Sequence, residues 1–148
     1  MCDVKESTQI VVAAIILSND MKRILLTQRA GDKDYPFYWC HPGGKVEPGE
    51  KPIAALIREL QEEIGITIFQ PMEIFDQRTF DPPVCKAPTT LITYVCLMPY
   101  GQRVMLLDAT VGAGWFTPEE IYGLTVTPGL ELLKSQLRER YGKSGSYS

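Results

Sequence analysis

Three glutamates, Glu59, Glu62 and Glu63, crowd the run Arg58-Glu59-Leu60-Gln61-Glu62-Glu63. On a helix, turning about 100° per residue, positions three and four apart share a face, so the three carboxylates gather on one side. Like charges at those separations repel by about 0.2–0.5 kcal/mol per pair. A helix that needed only solubility would interleave lysines. A hard divalent cation would offset the repulsion. Mg²⁺ takes oxygen ligands, keeps several waters, and is usually shared between carboxylates and substrate phosphates. Ahead of the run, Pro42-Gly43-Gly44-Lys45 lets backbone carbonyls and amides approach the same ions and phosphate oxygens. Taken alone, three glutamates read more readily as a solvated acidic face beside a structural turn. The glycine pair, with Glu50 and Arg58 at fixed offsets, reverses that preference.

The element that must hold the carboxylates is a helix opening near Pro52 and closing at Gly65. Proline suits a first turn, where a missing N–H costs little, and glycine suits a left-handed C-terminal residue. Ile53, Leu56, Ile57, Leu60 and Ile64 follow helical spacing and form an apolar stripe against the rest of the fold.

Gly44, five residues, Glu50, seven residues, then Arg58-Glu59-Leu60-Gln61-Glu62-Glu63-Ile64-Gly65-Ile66 resembles a complete Nudix box. The preceding Trp39 and Pro42-Gly43-Gly44-Lys45 are similar to the MutT-type branch. The box covers 23 residues, and the rest of the chain resembles the family more loosely, in element order and length. The resemblance implies an α/β/α sandwich with a mixed β-sheet between helices. It also implies hydrolysis of a nucleoside diphosphate linked to another moiety, by water attacking phosphorus. Such chemistry rests on positioning and charge neutralisation rather than covalent help from the protein.

By the same resemblance, Glu59, Glu62 and Glu63 are expected to ligate Mg²⁺, with Mn²⁺ as a substitute, and the Gly43 carbonyl is a further ligand candidate. Glu50 and Arg58 are expected to pair and hold the loop on the helix, a structural role as well as a chemical one. Arg29, Gly44 and Lys45 are candidate substrate contacts, although either basic residue reads equally as a solvated charge. Trp39, beside the glycines, is the favoured aromatic for stacking on a base, ahead of Phe37, Tyr38, Phe80 and Tyr94, which read as core. Thr127 and Pro128 fall where MutT-like relatives contact the base, and the asparagine that helps MutT read oxidised guanine is not evident there. The general base has two candidates: Asp108, the one acidic residue between Pro99 and Trp115, and a box glutamate, Glu62 or Glu63. The box glutamate is preferred.

The 148 residues suffice for one domain and not for two. The stretches 1–8 and 142–148 read as flexible ends. Fifteen basic and 18 acidic side chains give a net charge of −3, which argues against a nucleic-acid polymer as partner. A small nucleotide stays compatible, since a metal supplies local positive charge. The longest apolar run, Ile10 to Leu17, is too short for a membrane span, and the first residues show no signal-peptide pattern. Cys2, Cys40, Cys85 and Cys96 lack paired spacing and read as reduced thiols of a cytoplasmic protein, monomeric or homodimeric. One histidine and no C-x-x-C make zinc a poor match.

In chain order, Gln9–Leu17 reads as a strand buried on both faces, and Arg23–Arg29 as its hairpin partner. Ile66–Phe80 reads as strand broken near Pro71, Thr89–Met98 as the clearest later strand, and Arg103–Leu107 as a further one. Gly114-Trp115-Phe116 leads into a short helix at Pro118–Tyr122. A last helix begins at Pro128, with Leu130, Leu133, Leu137 and Tyr141 on one face.

Among triphosphates, nucleotide sugars and dinucleoside polyphosphates, the small size favours a nucleoside triphosphate cleaved to monophosphate and pyrophosphate. Cys40-His41-Pro42 invites comparison with isopentenyl-diphosphate isomerase, which shares the fold, but that enzyme has an altered box. The plainer reading packs Cys40 as a small hydrophobe and lets His41 cap or line the loop. A nucleotide-binding module without turnover would show a degenerate box, and this box is intact.

Overall fold

The computed structural model describes residues 8–68, 73–81, 87–107 and 110–142. Asp108, Pro71, Cys2, Cys85 and most of the two expected flexible ends lie outside the described residues.

The central strand is β1 (Gln9–Leu17). Its residues alternate between two cores: Val12, Ala14 and Ile16 enter one, Ile15 and Leu17 the other. That double burial explains its unbroken run of Val, Ile and Ala. Along one edge β1 pairs in parallel with β6 (Thr89–Leu97), and β6 pairs antiparallel with β5 (Glu73–Phe80). A parallel pair needs a long crossover. Here it carries the intervening strands and α1 (Pro52–Ile64).

The other edge of β1 is divided. At Ile16 and Leu17 it pairs with β2 (Ile24–Arg29), forming the expected hairpin. At Val11–Ala13 it pairs instead with β4 (Gly43–Lys45). Meanwhile β2 takes β3 (Trp39–Cys40) on that side and β7 (Thr110–Phe116) on its other edge. The sheet therefore forks between β1/β4 and β2/β3, and His41-Pro42 bridges the two short strands at the apex. The glycine pair, expected in a loop, is part of a strand.

Helix α1 covers one face. Ala55, Leu56, Leu60 and Ile64 are buried against the β1 side chains Val12, Ala14 and Ile16. Ile53 departs from the expected stripe: it is 41% exposed, and Ala55 takes the inward position. Gly65 closes the helix at φ 70°, its N–H donating to the Gln61 carbonyl.

The opposite face is covered by α2 (Pro118–Tyr122), α3 (Pro128–Glu131) and α4 (Lys134–Tyr141). The expected final helix is interrupted at Leu132-Leu133, yet Leu130, Leu133, Leu137 and Tyr141 are all buried in the second core. The architecture is the α/β/α sandwich with a mixed sheet. Arg103–Leu107 is not a strand. Its Met105 and Leu107 amides donate to the Ile64 and Glu63 carbonyls, so this segment satisfies the end of α1 instead of a sheet edge. Among the described residues, no helix is long and apolar enough to cross a membrane.

Candidate functional site

The fork opens into a cavity of about 590 Å³. Gly43, Gly44, Lys45, Glu59 and Glu63 line it together with Val11, His41, Leu91, Thr127 and Gly129, and so do Arg29, Lys33 and Tyr35. The ladder explains why the glycines face it. Ala14 N–H donates to the Pro42 carbonyl and Val46 N–H to the Ile10 carbonyl. Antiparallel alternation then turns the backbone groups of Gly43 away from β1. Accordingly, the Gly43 N–H donates to Glu63 Oε1 at 3.2 Å. At Gly44 a Cβ would overlap the Glu59 carboxylate, so only glycine lets that carboxylate lie on the strand.

Arg58 organises the acidic residues. Its Nε and Nη2 donate to Glu50 Oε2 and Oε1 at 2.8 and 2.9 Å, a bidentate pair. Its Nη1 reaches Glu59 Oε2 at 3.0 Å and Glu62 Oε1 at 3.3 Å, and Nη2 also donates to the Lys45 carbonyl. One guanidinium thus offsets much of the repulsion that the sequence assigns to a cation. Beside Arg58, and with the Glu47 amide donating to it, the Glu50 carboxyl is held down at about 2, while Arg58 is raised by Glu50.

The structure separates the glutamates. Glu59 and Glu63 line the cavity, whereas Glu62 borders an outer groove with Glu47, Glu50 and Arg58, its side chain 55% exposed. Glu62 stands one residue before Glu63 and so points about 100° away around the helix. Among the described residues, no cluster of three or more His, Cys, Asp or Glu side chains could hold a metal by itself. Trp39 is likewise not at the cavity. It packs edge-on against Phe116 at 5.0 Å within the second core, because strand alternation at β3 sends it to the face opposite Cys40. Tyr94 is buried beneath α1, and Phe80 does line the cavity.

Arg29 lies at the wall, where its Nε donates to the Asp34 carbonyl at 2.7 Å. Cys40 lines the cavity too; burial pushes its thiol up, so it stays protonated. Tyr35 and Thr127 join the lining, and only Thr127 was singled out from sequence. Tyr35 sits in a polar loop with φ 54°, and loop residues carry no periodicity that would place them.

His41 is 8% exposed, and burial pushes its imidazole down to about 4. Between pH 6.5 and about 4 the unfolded chain binds a proton that the folded chain does not. Stability therefore falls as pH drops through that window, by roughly 3 kcal/mol in all. His41→Leu removes this part of the acid limb. Between pH 7 and 4 the thermal midpoint of the wild type should therefore fall more steeply than that of His41→Leu.

Residues 8–137 match the family model for the NUDIX domain. Over 74 residues the chain is 45% identical to the 8-oxo-dGTP diphosphatase of Haemophilus influenzae, covering 50% of this chain and 54% of that protein. Over 57 residues it is 51% identical to the CTP pyrophosphohydrolase of Escherichia coli, covering 38% of this chain and 42% of that protein. The chain thus spans about half the length of the curated relatives it matches. A crystal structure of a MutT protein from Methanosarcina mazei superposes with a TM-score of 0.78 over 93% of this chain and 98% of that one, at 23% identity, a likeness of fold.

Proposed function

The chain belongs to the NUDIX domain family, and from that premise we propose that it is a metal-dependent pyrophosphohydrolase of nucleoside diphosphate-linked molecules. The favoured reaction is cleavage of a nucleoside triphosphate to a monophosphate and pyrophosphate. One observation carries the reading: a single cavity is lined by two carboxylates, a glycine backbone, basic side chains and apolar side chains. Its volume suits a nucleotide-sized ligand. The activities for which the relatives are named, on 8-oxo-dGTP and CTP, favour nucleotides over other diphosphates.

The donor set fits a hard divalent cation. Glu59 and Glu63 offer carboxylate oxygens, and the Gly43 carbonyl shares the edge of β4 that faces Glu63. Two carboxylates completed by substrate phosphates is the usual provision for Mg²⁺, so a preformed three-acid cluster is not needed. When bound, Mg²⁺ or Mn²⁺ would neutralise phosphate oxygens and lower the pKa of a water.

The chain's own residues supply the rest. Arg29 and Lys45 bring positive charge to the cavity wall where phosphates would lie. Arg58 fixes Glu59 through its guanidinium, with Glu50 holding Arg58 in turn. Of the two box glutamates considered as base, Glu63 is the one at the cavity, and it would accept the water proton at a carboxylate oxygen.

A panel of nucleoside triphosphates, a nucleotide sugar and a dinucleoside polyphosphate, each with Mg²⁺ or Mn²⁺, tests the reading. Pyrophosphate release from a triphosphate, stopped by chelation, is the expected result. Tight nucleotide binding without product under either metal would replace the enzyme by a binding module.

A further inference from the structure

Glu63 lies in the last turn of α1, the part of a helix that runs out of hydrogen-bond partners of its own. Were the helix to continue, the Thr67 N–H would donate to the Glu63 carbonyl. It stops because Gly65 turns the chain at φ 70°. The Gly65 and Ile66 amides then serve the Gln61 and Leu60 carbonyls, which leaves the Glu63 and Ile64 carbonyls to donors from elsewhere. Those donors are the Leu107 N–H, at 3.0 Å from the Glu63 carbonyl, and the Met105 N–H, at 2.9 Å from that of Ile64.

The run that supplies these amides has little apolar packing to hold it. Met105 and Leu106 are each 53% exposed, and Val104 is partly buried against the core beneath α1. Gln102 anchors the start of the run. The Thr67 N–H donates to Gln102 Oε1 at 2.7 Å, and Gln102 Nε2 donates to the Thr67 carbonyl at 2.8 Å. The side-chain amide thus pairs with both backbone groups of Thr67, as a neighbouring strand would. Thr67 is tied in turn to α1, its Oγ1 accepting from Gln61 Nε2 at 2.7 Å. Gln102 therefore takes up the amide that Glu63 loses where the helix ends, and it brings in the run whose Leu107 amide replaces it.

We infer that Gln102 is a positioning residue for Glu63, acting through the docked run 103–107. This rests on the reading of Glu63 as base and metal ligand. Two amides hold that residue: Gly43 N–H fixes the carboxylate at 3.2 Å, and Leu107 N–H fixes the turn from which it projects. Helix ends open more readily than helix bodies, so without the dock the last turn frays and the carboxylate loses its aim. Glu59 stands a full turn earlier, inside the hydrogen-bonded body of α1, and does not depend on the dock.

The test is a double-mutant cycle on kcat for a nucleoside triphosphate, combining Gln102→Met with Glu63→Gln at a temperature where every variant is folded by circular dichroism. Methionine keeps the length of the side chain and removes both hydrogen bonds to Thr67. Gln102→Met should lower kcat about tenfold with KM little changed. Hydrogen exchange at the Met105 and Leu107 amides should quicken by about tenfold or more. In the Glu63→Gln background the same change should cost less than about twofold, because the group that Gln102 positions is already gone. Gln102→Glu keeps the acceptor for the Thr67 N–H, so its kcat should lie between those of wild type and Gln102→Met. If Gln102→Met does not fold, Gln102→Glu takes its place in the cycle. A lowered thermal midpoint with unchanged kcat, or an equal loss in both backgrounds, overturns the inference while turnover upholds the hydrolase reading. If wild type cleaves no triphosphate, or Glu63→Gln keeps the wild-type kcat, the reading of the site fails and this inference with it.

Discussion

Glu63→Gln lowers kcat by about 10³-fold while the fold survives. The amide oxygen of glutamine can still accept the Gly43 N–H, so the link between β4 and α1 persists. What is lost is the charge, and with it both proton acceptance and a hard ligand. General-base contributions alone run to about 10²–10⁴-fold, and loss of a metal ligand acts in the same direction. Glu59→Gln should fall comparably, since that carboxylate lies on Gly44 and lines the same cavity. Glu62→Gln is the informative contrast. Its carboxylate faces the outer groove beside Arg58, so its loss in kcat should be clearly smaller than that of Glu63→Gln. Steady-state kinetics of the three variants under saturating Mg²⁺ gives the order. Equal losses at all three positions would mean that Glu62 turns into the cavity during turnover.

Arg58→Ala should be the next most damaging change, with kcat down about 10²-fold. One guanidinium contacts Glu50, Glu59, Glu62 and the Lys45 carbonyl. Without it, Glu50, Glu59 and Glu62 lose the guanidinium they share, and with it the contact that aims Glu59. A misplacement of about 1 Å in a catalytic group can cost that much in rate. Arg58→Lys should recover little, because a point charge cannot form the bidentate fork to Glu50. The pH dependence follows from Glu50, whose carboxyl is held at about 2 against the usual 4.5. Between those values the unfolded chain binds more protons, so the pairing contributes fully above pH 4.5 and is lost as pH falls toward 2. Arg58→Ala should therefore have a shallower acid limb in a plot of thermal midpoint against pH than the wild type.

Much of this site was legible in the chain because its determinants are local. Pro52 and Gly65 bound α1 as their backbone preferences require, and the Glu50–Arg58 pair forms across a turn and a half-helix. The long run of β1 marked it as the strand buried on both faces. Legibility failed where long-range pairing decided the outcome. Nothing in Trp39-Cys40 or Gly43-Gly44-Lys45 says that two- and three-residue strands will fork the sheet, since such pairing is set by distant β1 and β2. That fork sends Trp39 into the second core and brings His41 and Cys40 to the cavity. The facing of Glu62 was hidden for a different reason. Helical spacing groups the glutamates on one broad side, but Glu59 and Glu63 line the cavity while Glu62 meets Arg58 in the outer groove. Likewise the Arg103–Leu107 run is apolar enough for a strand, and the open carbonyls at the end of α1 claimed its amides first.

The central claim is that Glu59 and Glu63, beside the glycine strand, hold the cation against the phosphates of a nucleotide. Electron paramagnetic resonance of Mn²⁺ titrated into the protein with a non-hydrolysable nucleoside triphosphate measures this directly. The account predicts bound Mn²⁺ in the wild type and at least tenfold weaker binding in both Glu59→Gln and Glu63→Gln. Wild-type affinity retained by both variants would contradict it.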